Sequence, residues 1–223
     1  VHAEKEESLK PGLWTPTEPL THCLARPAEA EIDSVTNQLY LAERTDFRGK
    51  LHFAHLSVPE SVDLVQKAKK NWRDVSWEVC AHHLVYDFGI MSTETGLWFK
   101  VNPPIRGLDS KNGMLEKLRN DPDAILADDH APHTRDEKID PNTNKFMSGI
   151  VGLPYWSLFE EYLRINDFAE AQIRRVMFEN AAKRLGIDVK RRVVNVKDRR
   201  GDYPFDFYGG LAKMLGFNWD QNR

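Results

Sequence analysis

The sequence predicts an α/β fold in which a parallel sheet is built from β–α units. Three observations support this prediction. Short apolar runs alternate with amphipathic segments through the middle of the chain, polar side chains of the metal-ligand type follow the apolar runs, and 223 residues are enough to bury a core. Ligand-type side chains at the carboxyl ends of parallel strands are typical of a (β/α) barrel, where active sites lie at that end.

The predicted elements follow one another in β–α order. We expect strands at residues 50–57, 75–86, 97–105 and 124–130, the third ended by a Pro-Pro pair. We expect helices at residues 59–71, 112–121, 152–166 and 167–187. Pro59 suits a first helical turn, Asp167 an N-cap and Gly186 a C-cap.

The composition limits the classes of function. The chain is 41% hydrophobic and 29% charged with a net charge of -3, and its mean hydropathy is -0.56. Charges of both signs are interspersed, which gives no basic surface for nucleic acid, and no run reaches the roughly 18 apolar residues of a membrane span. The polar N-terminal segment lacks a signal-peptide core, and the widely separated Cys23 and Cys80 are expected as free thiols. We therefore predict a cytoplasmic protein.

The run DDHAPH at residues 128–133 is the most informative motif. It follows an apolar segment, and a carboxylate with two imidazoles is costly to bury but useful in a site. Asp129 is the natural metal ligand, and in metal hydrolases such a carboxylate also takes the proton from the attacking water. Alternatively, Asp128 and Asp129 cap the following turn. The motif favours a metal-dependent hydrolase.

Other strand ends supply further candidates. His55 closes the first predicted strand, and His2 lies before acidic residues near the start of the chain. Imidazole is the commonest protein ligand for transition metals, although a single histidine such as His55 can equally be a core residue. Asn102 offers one donor and one acceptor to a planar amide, but it also suits a turn before proline.

Three more polar residues lie in or beside the predicted strands. We expect Arg106 to be a solvated charge. His82 and His83 fall within a predicted strand, so only one of them would face a site.

Together these motifs resemble the dihydroorotase branch of the cyclic amidohydrolases. The resemblance runs from residue 1 to about residue 187. It is carried by VHAE (1–4), RPAEAE (26–31), HFAHLSVPESVDLVQKAK (52–69), EVCAHHL (78–84), VNPPIR (101–106) and DDHAPHTRDEK (128–138). It implies the (β/α)8 TIM barrel of the metal-dependent hydrolases, with only about the second half of the barrel in this chain. Residues 1–187 then form that barrel part, and residues 188–223 form a C-terminal extension.

The resemblance also implies a binuclear zinc site, of which this chain supplies part of the ligands. His2 and His55 would bind the second metal. Asp129 would bind the first metal and act as general base and acid. Glu78 occupies a position that some relatives use for an additional metal.

A substrate-binding set is implied in the same way. His133 and Asn102 would hold the carboxylate and the ring amide of the substrate. Gly149 and Gly152, in the segment SGIVG, would let the backbone approach the ring.

The implied activity is reversible hydrolysis of dihydroorotate to N-carbamoyl-aspartate in pyrimidine biosynthesis. One alternative is a non-catalytic dihydroorotase-like subunit that stabilises a partner enzyme such as a carbamoyltransferase. Another is a dihydropyrimidinase or allantoinase acting on a related ring, against which Asn102 and His133 argue. Besides the small-molecule substrate, the expected partner is a missing N-terminal barrel half, in the same protein or in a partner chain, and a homodimer is compatible.

The sequence also departs from the family pattern. It contains no HxH pair and no strand with a metal-bridging lysine, and its last residues match no family segment. We therefore expect one of three cases: the chain is a piece of a longer or split protein, further residues precede it, or it is a truncated relative that is inactive. We expect an enzyme that needs an N-terminal half.

Overall fold

The sheet of this molecule consists of three short parallel strands. The computed structural model describes residues 1–71, 74–188 and 198–219. The strands are β1 (Leu51–Phe53), β2 (Val75–Cys80) and β3 (Ile125–Ala127), in that spatial order. Because the strands are parallel, their carboxyl ends meet at one edge of the sheet, where the ligands of α/β proteins bind.

Two extended segments continue the sheet on either side. The amino group of Val1 donates to the His52 carbonyl at 2.6 Å, and the Ala54 amide donates to the Val1 carbonyl at 3.0 Å. On the other side, His130 bridges Ile150 in parallel register. The start of the chain and the segment around Ile150 are thereby positioned beside β1 and β3.

Ten α-helices lie in the described part of the chain. They are α1 (Leu20–Ala25), α2 (Ala28–Arg44), α3 (Pro59–Asn71), α4 (Ala81–Val85), α5 (Leu108–Asn120), α6 (Arg135–Ile139), α7 (Trp156–Ile165), α8 (Glu170–Arg174), α9 (Asn180–Leu185) and α10 (Gly209–Leu215). A π-helical turn, Arg175–Glu179, joins α8 to α9. No helix among the residues described is long and apolar enough to cross a bilayer.

Helix α3 connects β1 to β2 and was predicted with its observed bounds. It begins at Pro59, whose missing N–H is not needed in a first turn. Val62 and Val65 are fully buried against the sheet, whereas Lys69 and Lys70 lie in the last turn, where positive charge opposes the helix dipole. Burial of each valine contributes about 1.5–3 kcal/mol.

The predicted strand at residues 97–105 is wrong. This segment is irregular because its backbone groups bond outside any ladder. The Val101 carbonyl accepts from His22 Nε2 at 2.9 Å, and the Lys100 carbonyl accepts from the Gly149 amide at 2.9 Å. The Pro-Pro pair that follows has no N–H to offer a neighbouring strand.

The strand predicted at residues 75–86 is correct only as far as Cys80. Helix α4 follows at once, and His82 and His83 are both buried in it. Because the two residues are helical, the rule that neighbours on a strand face opposite sides does not apply to them.

Of the two caps predicted for the helical stretch at residues 167–187, the C-cap is confirmed and the N-cap is wrong. Gly186 ends α9 with a left-handed φ of 68°, as expected of a C-cap glycine. Asp167 is not the N-cap, since Ala169 holds that position before α8.

The described part of the predicted C-terminal extension packs on the rest of the molecule. Phe207 and Tyr208 are buried in the core. The Tyr86 hydroxyl donates to the Phe207 carbonyl, and the Tyr155 hydroxyl donates to Asp206 at 2.7 Å. Residues 189–197 and 220–223 of that extension lie outside the described residues, and the boundary at residue 187 stays a prediction.

Candidate active site

Two predicted metal ligands, His2 and His55, lie together beside β1. His2 Nδ1 is 3.3 Å from His55 Nε2, and the ring centroids are 4.9 Å apart in an edge-on arrangement. Burial lowers the pKa of His55, which favours the neutral imidazole that binds metals. Its Nδ1 is buried without a hydrogen-bond partner among the residues described.

The ion pair between Glu4 and Arg26 holds the His2 ring through its Nε2. His2 Nε2 lies 3.1 Å from a Glu4 carboxylate oxygen, and Arg26 donates to both Glu4 oxygens, at 3.0 and 2.7 Å. Burial by itself would raise the pKa of Glu4, but the hydrogen bonds from His2 and Arg26 lower it to about 2. An ionised carboxylate behind an imidazole is the usual means of orienting a metal-binding histidine.

Arg106 is a buried charge, so the expectation that it is solvated is wrong. Its Nε donates to Ser57 Oγ at 2.9 Å and its Nη1 to the Arg26 carbonyl at 2.5 Å, while Nη2 lies 3.9 Å from Glu31. Glu31 is fully buried and accepts from the Ser57 and Val58 amides. This network holds the loop that follows His55. Its only signal in the sequence was the presence of charges inside the RPAEAE and VNPPIR motifs.

Asp129 is the second residue after the end of β3 and is exposed at the same edge of the sheet. Burial lowers the pKa of His55, and the negative charge of Asp129 raises it in part, so the two side chains interact electrostatically. The alternative role of turn capping belongs to Asp128, which accepts the His130 amide at 3.3 Å. Of the pair that the sequence offered as turn caps, Asp128 makes this bond, and the metal-binding role predicted for Asp129 stays a prediction.

Glu78, the predicted additional ligand, also reaches this edge but is already paired. Its Oε2 lies 3.0 Å from His52 Nε2, and the other nitrogen of His52 lies 2.7 Å from Ser76 Oγ. A metal bound by Glu78 would therefore share this carboxylate with His52.

His130 has a structural role. Its Nδ1 accepts from the Gly152 and Leu153 amides at 3.3 Å each, and its Nε2 lies 3.4 Å from the Tyr203 hydroxyl. The ring thus ties the loop after β3 to the C-terminal segment.

The predicted substrate-binding residues lie in two irregular segments, Asn102 before α5 and His133 after β3. Asn102 Oδ1 is buried and has no hydrogen-bond partner within the described ranges, so an acceptor is free there. His133 Nε2 lies 3.0 Å from the Ser148 carbonyl, and its Nδ1 lies 3.8 Å from Glu137. His133 therefore holds the SGIVG segment in place, and one of its nitrogens faces a carboxylate.

Both glycines of the SGIVG segment are required by packing. A Cβ on Gly149, whose φ is 148°, would lie 2.6 Å from the Ala131 carbonyl oxygen, and one on Gly152 would lie 2.7 Å from the Asp128 Cβ. The glycines let this segment approach the DDHAPH run closely. Their approach to a substrate ring stays a prediction.

Sequence reasoning missed a second group of ligand-type side chains at the end of β2. Cys80, His82 and His83 are buried, and one ligand atom of each lies within 4.8 Å of the others. The pattern Cys-x-His-His was visible in the sequence, but the strand predicted there would have separated the two histidines.

Comparison with known proteins gives a consistent result. No protein-family model matches the chain. An allantoinase of Escherichia coli is 33% identical over 195 residues, which are 86% of this chain and 42% of that protein. The crystal structure of dihydropyrimidinase from Brevibacillus agri NCHU1002 matches with a TM-score of 0.70 and 23% identity, over 82% of this chain and 42% of that one. A dihydroorotase from Campylobacter jejuni matches with a TM-score of 0.60 and 15% identity, over 86% and 48%.

The chain thus spans about two-fifths of the length of the curated relatives it matches. Its fold is part of the amidohydrolase TIM barrel, as the sequence predicted. The dihydroorotase branch is not singled out, because the match to allantoinase is stronger in sequence.

Proposed function

We propose that this chain forms part of a hydrolase that opens the ring of a cyclic amide, of the kind represented by allantoinase and dihydropyrimidinase. The observation that carries the proposal is the placement of His2, His55 and Asp129 at one edge of the sheet, with the Asp129 charge acting on His55. The 33% identity to allantoinase supports the same class of reaction.

The donor set fits zinc. Two imidazole nitrogens bound to one tetrahedral zinc at about 2.0–2.1 Å lie about 3.3 Å apart. The separation between His2 Nδ1 and His55 Nε2 is 3.3 Å. His2 and His55 would hold one metal and Asp129 a second, and the other ligands of a binuclear site would come from outside this chain. Zinc would polarise the ring carbonyl and lower the pKa of the attacking water.

The chain's own residues would perform the proton transfer and the positioning. Asp129 would accept the proton of the attacking water and return it to the ring nitrogen as the amide bond breaks. Asn102 would accept the ring N–H with its free Oδ1 and donate to the neighbouring carbonyl with its Nδ2.

Dihydroorotate is the second candidate substrate, and His133 is the residue that favours it. The imidazole lies in the loop that follows Asp129, and its Nδ1 would bind a substrate carboxylate in place of Glu137. In that case, the reaction would belong to pyrimidine synthesis. A non-catalytic subunit, by contrast, would bind no ring substrate and hydrolyse none.

The test uses the purified protein that contains this chain, loaded with zinc, on allantoin, a dihydropyrimidine and dihydroorotate. We expect kcat/KM to be highest for allantoin or the dihydropyrimidine. Asp129→Asn should lower kcat by about 100-fold to 10,000-fold, because general base catalysis is lost. Asp128→Asn is the matched control and should retain activity, since an amide oxygen can still cap the turn. Full activity of Asp129→Asn would contradict the mechanism, and inactivity on all three substrates would favour the non-catalytic subunit.

A further inference from the structure

The side chains of Cys80, His82 and His83 form a closed group behind the candidate active site. All three are at most 3% exposed, and one ligand atom of each lies within 4.8 Å of the other two. The group contains none of the ligands assigned above to the proposed hydrolytic centre.

Its histidines carry the clearest sign of a missing ligand. The Nδ1 atoms of His82 and His83 are both buried and lack a hydrogen-bond partner in the part of the chain that is described. Buried ring nitrogens are normally satisfied, and an unsatisfied pair side by side requires an occupant such as a water or an ion. The centroids of the two rings are 4.3 Å apart, and one ligand atom of each ring lies within 4.8 Å of the other.

His83 already has the orientation of a metal ligand. Its Nε2 donates to the Pro103 carbonyl at 3.0 Å. That bond places the proton on Nε2 and leaves the lone pair on Nδ1. A backbone carbonyl on the far nitrogen is the usual support of a metal-binding imidazole.

We propose that Cys80, His82 and His83 bind a divalent transition-metal ion of the zinc class, at a site separate from the proposed hydrolytic centre. One thiolate and two imidazoles are a ligand set that zinc and cobalt accept, and they leave one coordination position for a further ligand. Metal–ligand bonds of about 2.0–2.3 Å place tetrahedral ligand atoms about 3.3–3.8 Å apart, so small side-chain rotations suffice to close the group.

The surroundings favour a cation at this position. Burial keeps His82 and His83 neutral by lowering their pKa, and it raises the pKa of the Cys80 thiol, as do the nearby charges of Asp129 and Glu78. A bound ion would displace the thiol proton to solvent, and the metal–thiolate pair would carry one net positive charge. The same carboxylates that oppose a free thiolate would stabilise that charge.

Cobalt is the probe that distinguishes this site, because thiolate ligation gives a charge-transfer absorption that oxygen and nitrogen ligands do not give. The purified protein containing this chain would be stripped with a chelator and titrated with Co²⁺. We expect the thiolate band to appear and to be lost in Cys80→Ser. Cys23→Ser, which changes the other buried free cysteine, is the matched control and should keep the band. His82→Gln should weaken cobalt binding at least about tenfold.

A measurement on the unaltered protein covers the case in which a variant fails to fold. X-ray absorption at the zinc edge should show a sulfur ligand at about 2.3 Å. The proposal is wrong if only oxygen and nitrogen ligands are found, if no metal binds, or if the cobalt band survives in Cys80→Ser. None of these readouts depends on hydrolysis, so they are independent of the proposed function.

Discussion

Two residues of the candidate site have left-handed backbones, which is unusual for residues other than glycine. His55 has a φ of 40° and Asp129 a φ of 45°, and each is the second residue after a strand. Such conformations cost of order 1–3 kcal/mol and are concentrated at functional sites. The sharp turn after each strand directs the two side chains toward the same edge of the sheet. We infer that the backbones of His55 and Asp129 lower the stability of the fold because these conformations are needed to place the two side chains in the site.

The cost of this strain at Asp129 can be measured. Because glycine adopts positive φ without a steric penalty, Asp129→Gly should be about 1 kcal/mol more stable than Asp129→Ala. At Asp128, whose φ is not positive, the order should reverse, with alanine the more stable. The measurement is urea denaturation of the four variants. Equal stability of Asp129→Gly and Asp129→Ala would show that the turn is not strained.

The Glu4 carboxylate should make the free energy of unfolding depend on pH in the acidic range. Its pKa falls from an ordinary value near 4.5 to about 2 in the folded protein, so the unfolded chain binds a proton first as the pH drops. The stabilisation is complete above pH 4.5 and is lost as the pH falls from there to 2. It amounts to about 2–3 kcal/mol.

Glu4→Gln should remove this contribution. We expect the variant to be less stable than the parent at pH 7 and to lose less stability between pH 4.5 and pH 2. Thermal unfolding followed by circular dichroism across that range is the measurement. Glu6→Gln, at an exposed position, is the control and should reproduce the parental profile. Parallel profiles for Glu4→Gln and the parent would contradict the assignment.

At the scale of elements, helix α6 fixes the SGIVG segment through one side chain. Lys138 is buried, and its ammonium donates to the carbonyls of Lys100, Met147 and Gly149 at 3.1, 3.0 and 2.8 Å. Burial lowers the pKa of Lys138, and the nearby positive charge of Lys100 lowers it further. The short helix thereby connects three parts of the loop region.

Removing this amine should destabilise the loop region. Lys138→Met leaves carbonyls without their donor, and we expect a loss of about 2–4 kcal/mol in the free energy of unfolding. Hydrogen exchange of the amides at residues 147–150 should accelerate in the same variant. Lys145→Met is the control, because that exposed side chain makes only a 3.7 Å ion pair and should matter by less than about 0.5 kcal/mol. An unchanged exchange rate at residues 147–150 would rule out the proposed role.

The same scale shows what sequence could and could not predict. Helix α3 and the three observed strands were predictable because each is an apolar run or a helical stripe bounded by clear stop signals. The segment at residues 97–105 has an equally apolar sequence, but its carbonyls are taken by His22 and by the amide of Gly149, which are remote in the chain. The local sequence pattern of a segment carries no information about hydrogen-bond partners that are remote in the chain.

The site follows the same rule. The pairing of His2 with His55 was predicted through motif resemblance, not through spacing, because 53 positions separate them. Arg106 was assigned to solvent because its partners Glu31 and Ser57 are remote in sequence. A charge is recognised as buried only when the residues that neutralise it are known.

At the scale of the whole molecule, the sheet is open. Within the described ranges its outermost segments are Val1–Ala3 on one side and the residues around Ile150 on the other. A barrel closes its sheet and leaves no edge, whereas an open sheet presents unpaired N–H and C=O groups that recruit another chain. The allantoinase relative is more than twice as long as this chain. An N-terminal barrel half, in the same protein or in a partner, is therefore the complement that we propose.

This proposal predicts different behaviour for the chain alone and for the complete assembly. Expressed by itself, the 223-residue chain should associate through its open edges and elute from size exclusion with a light-scattering mass above 25.8 kDa. It should also hydrolyse none of the three candidate substrates, because part of the ligands of the proposed binuclear site would come from outside this chain. An amidohydrolase N-terminal half that carries an HxH pair and a lysine, when added, should lower the apparent mass to that of a one-to-one complex and restore hydrolysis. The same half with both histidines of its pair changed to alanine is the control. It should restore the complex but not hydrolysis. A monomeric chain that hydrolyses a cyclic amide by itself would refute the requirement for a second half.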